Sequence, residues 1–533
     1  MPEDQLIPPT NREETSIQQQ SLLEEPLLSQ PLSVNERDAA DDPEQQLYDG
    51  LPHLETSIVI KSLYFLDALG SSTWGRFSAI YYNLHGLNSQ HVGIIECLST
   101  LVPTFSQVLW GVVADRCNSR KNIWLLTKSV STLMLLTLAT PLVYNSFWTI
   151  LMVSIGAKLF VSGGILDAYT LDLLGRENKM FYGRYRLYAS VSWGAGSIVI
   201  GWITDHFGSF EPNFILFGLL SFTMVALVAW KIPDAAVTTP TLEEEEEYDN
   251  EDSPVSESQH VSTDTDQHDS GGHIMELVHL ALRPRVAMFL LEVIIMGAAM
   301  ATVERLLFLY MVNDLEASTL LCGLSVGVNV LFELPIFWYA QTIMNALGHD
   351  GMYLLAMACF FLRVVGYTWL TPSTKWFILA LEVLHGITFA SFWVVTTDIS
   401  KCLIHQTRGA FWRTAIPSLV QMLYSALGVS LGSVLGGWAM HRYGSRTMYR
   451  VTAAIVAITW VAHVIGSILS RLFCNGTSFL PDYTEDDDPY DSESESFLNG
   501  ESFLNDDNDE QASTVLLPVQ GGQTGNRQRA VDQ

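Results

Sequence analysis

The chain has 533 residues, of which 48% are hydrophobic, and it carries a formal charge of −29. Its apolar residues are concentrated in blocks of about 20, the length of helix that crosses the roughly 30 Å hydrocarbon core of a bilayer. This pattern excludes a soluble multidomain protein and predicts a membrane protein with many spans. The sequence has no Gly-x-x-x-x-Gly-Lys-Ser/Thr loop, which excludes ATP hydrolysis by the chain itself. It also shows no nucleophile–base pair and no metal-ligand spacing, so neither an enzyme nor a cofactor is expected.

The acidic charge is confined to three segments, residues 1–56, 232–273 and 474–533. Together they hold 40 of the 57 acidic residues and 4 of the 28 basic residues. The remaining core has 17 acids and 24 bases, a net charge of +7. Such segments cannot bury a core and are predicted to be disordered. They argue against a nucleic-acid partner, and they leave cytosolic partners open as ligands of the tails.

The apolar blocks predict an all-α membrane protein with twelve transmembrane helices in two six-helix bundles. We predict a tail over 1–56, a first bundle over 57–231, an acidic linker over 232–275, a second bundle over 276–473 and a tail over 474–533. Lys and Arg are concentrated in the loops that place both termini in the cytosol, following the positive-inside rule. The predicted spans, numbered in chain order, are 58–82, 90–113, 122–143, 146–173, 185–207, 213–231, 286–312, 319–341, 351–370, 376–400, 411–437 and 447–473.

Predicted spans 5 and 11 are rich in glycine, which lets helix backbones approach each other closely. Such ladders are compatible with static packing and with a sliding surface between the two halves, and the sequence leaves both interpretations open. The glycines are Gly194, Gly196 and Gly201 in span 5 and Gly428, Gly432 and Gly436 in span 11.

The loop between spans 2 and 3 reads GVVADRCNSRK, residues 111–121. A small residue ends the helix, and an acid then lies beside a cluster of bases at the membrane surface, where the charges can form a lock. This loop resembles the loop 2–3 signature of the major facilitator superfamily, except that Ser119 stands where that family usually has Gly. The resemblance implies a gate that closes the cytosolic side. The residues expected to carry it are Gly111, Asp115, Arg116, Arg120, Lys121 and, as a partner in span 4, Asp172.

Further stretches resemble one branch of that superfamily. The sequences YGRYRLYASVSWGAGSIVIGWITDHFG, FELPIFWYA, LHGITF and GGWAMHRYG look like the MFS_1-like branch, which is related to lactose permease and the nucleoside:proton symporters. The resemblance covers roughly residues 57–473 and implies two bundles that rock around a solute site near the midplane. A second copy of the loop motif is expected after span 8. There MNALGHDG has Gly348 but no Asp-Arg pair, so we predict a degenerate second lock.

Ionisable residues inside predicted spans are functional candidates, because each is costly to bury unpaired. In lactose permease relatives, span 9 carries an Arg, and span 10 carries a His followed one turn later by a proton-carrying Glu. Arg363 and His385 match this pattern, but Thr388 stands at the place of the acid. Glu382, one turn before the histidine on the same helix face, and Glu333 in span 8 are the acids left for proton coupling, and all are expected near the midplane. The alternative interpretation is a static buried ion pair.

Three residues are candidates for lining the solute cavity: Asp67, Lys158 and Trp193. Asp67 can pair with Lys61 in its own span, or Lys158 can reach it across helices. Trp193 lies in the middle of span 5, where an indole ring can stack on a sugar or a base.

Two more charged pairs are predicted. Glu304 and Arg305 in span 7 are expected to form a local lock at the extracellular mouth. Asp398, at the inner end of span 10, is expected to pair with Lys401.

These features predict a secondary transporter that moves a small polar solute, such as a sugar or nucleoside, with protons as the coupling ion. A receptor-like or scaffolding protein of the same fold and an uncoupled uniporter stay open as alternatives. Paired leucines in SLLEEPLLSQPL resemble endosomal or vacuolar sorting signals, so both those membranes and the plasma membrane are open. The C-terminal tail also repeats the sequence ESFLN.

Overall fold

The described part of the chain is almost entirely helical. The structure is a computed structural model and describes residues 53–117, 119–161, 163, 167, 170, 182–232, 270–407, 410–473 and 479–481. A 3₁₀ turn covers Pro372–Phe377, and a π-helical turn covers Leu423–Val429. The α-helices are α1 (His53–Trp74), α2 (Ser78–Leu84), α3 (Ser89–Arg116), α4 (Arg120–Thr137), α5 (Pro141–Tyr144), α6 (Phe147–Leu159), α7 (Tyr182–Phe207), α8 (Glu211–Lys231), α9 (Ser270–Ala281), α10 (Pro284–Asn313), α11 (Thr319–Trp338), α12 (Ala340–Tyr367), α13 (Ile378–Thr407), α14 (Ala410–Met422), α15 (Ser430–Tyr443) and α16 (Ser445–Phe473).

Nine helical segments among the described residues are long and apolar enough to cross a membrane. The all-α membrane class predicted from the sequence is therefore confirmed. The helices in predicted spans 1, 3 and 4, which are α1, α4 and α6, are not among the nine. The count of twelve and the cytosolic position of the termini stay predictions. Both predicted tails lie almost wholly outside the described residues. So does most of the predicted linker, although α9 begins inside it, at Ser270.

The helix α12 contains the turn between predicted spans 8 and 9. Gly348 has a φ of 66°, in the left-handed region that glycine adopts without a steric penalty. Residues 340–347 come before this turn, and the residues after it form predicted span 9. His349 and Asp350 therefore follow the turn directly, on the side of the protein predicted to be cytosolic.

The first predicted span is broken between α1 and α2 at Gly75. A Cβ on Gly75 would lie 2.5 Å from the indole ring of Trp193, so only glycine leaves room for that ring. The ring of this tryptophan is half-buried there, against the break. The break places Arg76 between two helical segments, where its side chain points toward the second half of the protein.

The first half (α1–α8) and the second half (α10–α16) meet through small residues on two pairs of helices. A Cβ on Gly93 of α3 would collide with the backbone of Ser433 and Gly437 in α15. A Cβ on Gly201 of α7 would collide with the backbone of Thr319 in α11. Backbone contact of this kind stabilises helix pairs in a bilayer, where water does not drive apolar helices together.

The glycine ladder of predicted span 11 packs inside the second half. Gly428, Gly432 and Gly436 all face α10, against Gly297, Ala298 and Thr302 in the same order. This ladder therefore packs within the second half and not between the halves, and the neighbouring Gly437 is the residue that meets the first half. In span 5 the glycines divide: Gly194 and Gly201 face α11, whereas Gly196 faces α1.

Contacts between the halves include several on the side that carries the turns at 85–88, 314–318 and 368–377, called here the outer side and predicted to be extracellular. The Asp205 carboxylate, at the end of α7, accepts the backbone N–H groups of Thr319 and Leu320, each at 2.8 Å. It thus caps the N-terminus of α11 in the other half, where the helix dipole favours an anion. The Asn83 amide also donates to Asn313 across the halves at 3.2 Å.

Candidate functional site

A buried chain of hydrogen bonds joins predicted spans 9 and 10. The Arg363 guanidinium on α12 donates to His385 Nδ1 on α13 and, through Nε, to the Tyr367 hydroxyl. The Tyr367 hydroxyl in turn donates to Glu382 Oε1. Arg363 Nε lies 3.7 Å from the same Glu382 oxygen, and the two side chains are 1% and 0% exposed. Arg363 and Glu382 therefore form a buried ion pair with a tyrosine between them.

The hydrogen bond from Arg363 fixes the tautomer of His385. A guanidinium has donors only, so His385 Nδ1 accepts and the neutral ring carries its proton on Nε2. That nitrogen lies 3.8 Å from a Glu304 oxygen and 4.0 Å from a Glu333 oxygen. The imidazole N–H thus faces two carboxylates that come from two other helices.

Gly386 brings Glu333 close to the histidine. A Cβ at Gly386 would lie 2.7 Å from the backbone of Phe332 and 2.8 Å from the backbone nitrogen of Glu333. Helix α13 thus touches α11 backbone to backbone at this point. A side chain at this position would separate the two helices and move Glu333 away from His385.

Two ion pairs link this group to the first half of the protein. Arg305 Nη1 on α10 donates to Glu96 Oε2 on α3 at 3.1 Å. Arg76 lies 4.0 Å from Glu304, also on α10. Glu304 and Arg305 were predicted to form a local lock; instead, each pairs with a residue of the other half. Their position near the outer side agrees with the prediction.

Nine residues form what is called here the outer charge cluster. It contains four carboxylates, three guanidiniums, a histidine that is neutral in this geometry, and a tyrosine. If all four acids are ionised, the sum is 3 − 4, a net charge of −1. Lys158 of α6 lies close enough to Glu96 and Arg305 to interact with both charges, and it can balance this sum. Glu304 and Glu333 still face one imidazole N–H, so a proton held by either acid relieves the repulsion between them. The members are Arg76, Glu96, Glu304, Arg305, Glu333, Arg363, Tyr367, Glu382 and His385.

Members of the cluster lie at different depths along their helices: Glu333 is 14 residues after the start of α11, whereas two others lie near helix ends. Their position near the midplane stays a prediction. Arg363 is four residues before the end of α12, and Glu382 is four residues after the start of α13. Helix α13 continues to Thr407, well past the inner end predicted at 400, which moves its centre toward the other side. Thr388, at the place of the family's acid, uses its hydroxyl to bond the Leu384 carbonyl at 2.8 Å.

The cavity candidates of the first half have partners that the sequence did not predict. Asp67 accepts from Lys128 on α4 at 2.6 Å, so the predicted pairing with Lys61 or Lys158 is wrong. The ammonium group of Lys61 lies over two tyrosine rings instead. Lys158 lies at the end of α6, and Trp193 fills the space beside Gly75, as described above.

The described residues of the loop 2–3 motif include an ion pair within the motif and a lysine that bonds the end of α8. Arg120 lies 3.4 Å from Asp115, whose side chain is 59% exposed. Lys121 donates to the carbonyl oxygens of Ala229 and Ile232, at 3.2 and 2.5 Å, and so ties α4 to the end of α8. Gly111 has open space where a Cβ would be, and the Arg116 side chain is exposed. The predicted partner, Asp172, lies outside the described residues.

On the side opposite the cluster, a cleft of about 170 Å³ opens between the α11–α12 run and α13. Asp398 lies in it and accepts from His349 Nε2 at 2.7 Å, so the pairing predicted with Lys401 is replaced by one across helices. The cleft combines an indole ring with amide, hydroxyl and charged groups. Its lining residues are Phe337, Gln341, Met344, Trp393, Val394, Thr397, Asp398 and Lys401.

Reasoning from the sequence missed Arg76, Glu96 and Tyr367. Glu96 lies in predicted span 2, so the signal that singled out Glu333, an acid within an apolar block, was also present there. Tyr367 lies four residues after Arg363, on the same helix face. Arg76 lies inside predicted span 1, so the same signal was present there too, although nothing in the sequence marks the break that places it.

Two helical halves thus meet at glycine crossings, with an ionisable cluster at their contact. The chain belongs to the MFS_1 like family, whose family model matches residues 58–451. The resemblance read from the sequence is thereby confirmed.

Relatives of the chain include proteins of the same superfamily. A major facilitator superfamily domain-containing protein 6-like protein B from Xenopus laevis is 23% identical over 38% of this chain and 31% of its own length. The alignment thus spans about a third of that relative. A maltose permease from Geobacillus stearothermophilus is 23% identical over 68% of this chain and 82% of the permease.

Solved structures of transporters share the fold. The nucleoside transporter NupG superposes with a TM-score of 0.59 at 14% identity, covering 77% of this chain and 98% of NupG. A peptide transporter, POT, in complex with sulfate superposes with a TM-score of 0.58 at 12% identity, covering 83% of this chain and all of POT. At these identities the likeness concerns the fold alone.

Proposed function

We propose that the chain is a secondary active transporter that moves a small polar solute of the sugar or nucleoside class together with protons. The observation that carries the proposal is the pair of carboxylates, Glu304 and Glu333, that face His385 Nε2 at the contact between the halves. Membership of a transporter family, a maltose permease among the relatives and the fold of a nucleoside transporter support the solute class.

The proposed coupling step takes place at Glu304 and Glu333. With both acids ionised, Glu304 attracts Arg76 of the first half, and the outer side is held closed. A proton on either acid removes one of the two negative charges beside His385, weakens the attraction for Arg76 and lets the outer side open. The proton then leaves toward the other side when the closed arrangement returns. Arg363 and Glu382 keep their mutual pair throughout and orient His385 between the two acids.

The solute is proposed to bind between the halves, on the inner side of the cluster. Asp67 and Lys158 supply charged groups in the first half, and the cleft beside Trp393 supplies an aromatic ring in the second. A ring of this kind stacks on a sugar or base, while amide and hydroxyl groups bond its polar edge. The membrane proposed is either the plasma membrane or an endosomal or vacuolar membrane.

One observation favours the receptor-like alternative. The acid that carries the proton in lactose permease relatives is replaced by Thr388, whose hydroxyl bonds its own helix. A protein of this fold without that acid can bind a ligand and change conformation without coupled flux. The uncoupled uniporter shares this feature and differs from the receptor by moving solute.

Proton movement in proteoliposomes separates these functions. Purified protein is tested with a panel of sugars, nucleosides and other polar solutes, and the external pH is recorded. We expect a solute-dependent rise in external pH that is lost in Glu333→Gln or Glu304→Gln and kept in Glu211→Gln, a matched change of an exposed acid at the start of α8. Solute uptake without a pH change in any variant would contradict coupling and favour the uniporter. Solute binding without flux would favour the receptor.

A further inference from the structure

A short segment of the C-terminal tail is bound to the inner end of the second half. The Asp350 carboxylate, just after the turn at Gly348, accepts the backbone N–H groups of Phe479 and Leu480, each at 3.0 Å. The same carboxylate accepts the Ser467 hydroxyl at 3.0 Å. A carboxylate that receives two consecutive amides holds a peptide backbone in one register, because each oxygen takes one N–H.

The third backbone contact comes from His349. Its Nδ1 lies 2.9 Å from the carbonyl oxygen of Pro481, and its Nε2 lies 2.7 Å from Asp398 on α13. The tail segment is thus hydrogen-bonded to two residues of α12, and through His349 it is linked to α13. The predicted degenerate lock of MNALGHDG therefore has a different use in this structure: its His-Asp pair binds the tail.

The side chains of the segment also pack against residues of the second half. The Phe479 ring meets the His463 ring edge-on, with centroids 5.2 Å apart. A Cβ on Gly466 would lie 2.6 Å from two atoms of the Phe479 ring, so the glycine makes the space that the ring occupies. Leu480 is fully buried. The groove therefore selects an aromatic residue followed by leucine, in addition to the backbone.

The sequence bound in the groove occurs again in the tail. Phe479-Leu480 follows a serine, and the tail repeats Ser-Phe-Leu at 496–498 and 502–504, each inside the sequence ESFLN. Both copies lie outside the described residues. The 14 residues between Pro481 and Ser496 can span up to about 46 Å when extended. That length is enough for a later copy to return to the groove after Phe479 leaves it.

We propose that the groove formed by His349, Asp350, His463, Gly466 and Ser467 is a peptide-binding site for the ESFLN copies of this chain's own tail. Phe479–Pro481 fills it in this structure, and a downstream copy takes its place when that segment is released. The exchange shifts the point at which the acidic tail is held against the inner side. The proposal is independent of the transport function, because it needs neither solute nor proton movement.

The test measures binding of a fluorescent peptide of residues 493–500, which contains one copy, to the full-length protein in nanodiscs. Native copies are disabled by Phe479→Ala, Phe497→Ala and Phe503→Ala, so that the groove is vacant. We expect the peptide to bind this vacated protein about tenfold or more tightly than it binds wild type, whose own segment competes. A peptide in which alanine replaces its phenylalanine serves as the matched control and is expected to bind at least about tenfold more weakly.

Adding Gly466→Ala to the vacated protein closes the space for the ring and is expected to abolish binding. Alanine favours a helix over glycine, so this variant keeps its fold, which thermal melting checks. A second measurement uses the chain with all its copies intact. Hydrogen exchange at the amides of Phe479 and Leu480 is expected to be slow in wild type and fast after Asp350→Asn. Peptide binding that survives Gly466→Ala, equal binding of the control peptide, or no binding to the vacated protein would each overturn the proposal.

Discussion

The buried pair of Arg363 and Glu382 gives the sharpest prediction for stability. Glu382→Gln keeps an oxygen that can accept from Tyr367 but removes the charge that Arg363 faces. At 3.7 Å and an effective dielectric constant of about 20, the lost attraction is about 4 kcal/mol. Both side chains are almost fully buried, so water cannot replace the partner, and breaking such a pair costs about 3–5 kcal/mol.

A double variant distinguishes this account from a general packing defect. Replacing the guanidinium as well, with Arg363→Met and Glu382→Gln together, removes the unpaired charge. We expect the double variant to regain most of the stability lost in Glu382→Gln, because two neutral side chains leave no buried ion. A double-variant cycle isolates this interaction energy.

The assay is thermal melting of the purified protein in nanodiscs, with Glu211→Gln as the control for loss of an exposed acid. Glu382→Gln is expected to melt well below wild type, Glu211→Gln close to wild type, and the double variant between wild type and Glu382→Gln. Equal melting of Glu382→Gln and wild type, or a double variant less stable than both single variants, would refute the reasoning.

Three further predictions concern the contacts around the cluster. Gly386→Ala, by overpacking the crossing of α11 and α13, should destabilise the protein by about 1–3 kcal/mol in a melting assay and reduce proton-coupled uptake; an unchanged protein would mean that the helices are not in contact there. Asp205→Asn removes a charged cap that crosses the halves, so it should make closure of the outer side less favourable by about 1–2 kcal/mol. A membrane-impermeant reagent should then label outer-side cysteines more strongly. Unchanged labelling would argue against this cap as a closing contact. Arg305→Gln and Glu96→Gln should each raise the same labelling to a similar extent, because each breaks the ion pair between these two residues. Effects that add in the double variant would show that the two residues do not act together.

The sequence predicted the fold class because bilayer thickness imposes a simple length and composition on each helix. It placed the helices to within a few residues in most spans, and it failed where a helix is interrupted. The break at Gly75 lies in SSTWGRFS, residues 71–78, but these few small and polar residues are not enough to divide the long apolar block around them. Predicted spans 8 and 9, which end at 341 and begin at 351, bracket the turn at Gly348.

The candidate site was predicted in part. Arg363, Glu382, His385 and Glu333 do lie together, because costly ionisable residues in apolar segments tend to find one another. Their partners in the first half, Arg76 and Glu96, could not be assigned from one sequence, since the contact joins helices far apart along the chain. The pairings predicted between sequence neighbours, Asp67 with Lys61 and Asp398 with Lys401, are wrong for the same reason. Helix crossings, and the glycines that set them, decide which charges meet.

The same limit explains why the contacts of the C-terminal segment were not predicted. MNALGHDG was read as a weakened gate motif because its neighbours in sequence offer no base to pair with. Its actual partners are backbone groups more than a hundred residues away, at Phe479, Leu480 and Pro481. Backbone donors carry no signature in a sequence, whereas the repeated Ser-Phe-Leu copies do.

The central claim is that protonation of the outer charge cluster opens the outer side. Its most direct test is a distance distribution between spin labels at Leu84→Cys and Asn313→Cys, on opposite halves beside the Asn83–Asn313 contact, in a background without reactive native cysteines. The account predicts a short distance at neutral pH, a longer one on acidification, and a longer one at both pH values in Glu333→Gln. A distance that stays short at acidic pH, or that depends on pH as strongly in Glu333→Gln as in wild type, would contradict it.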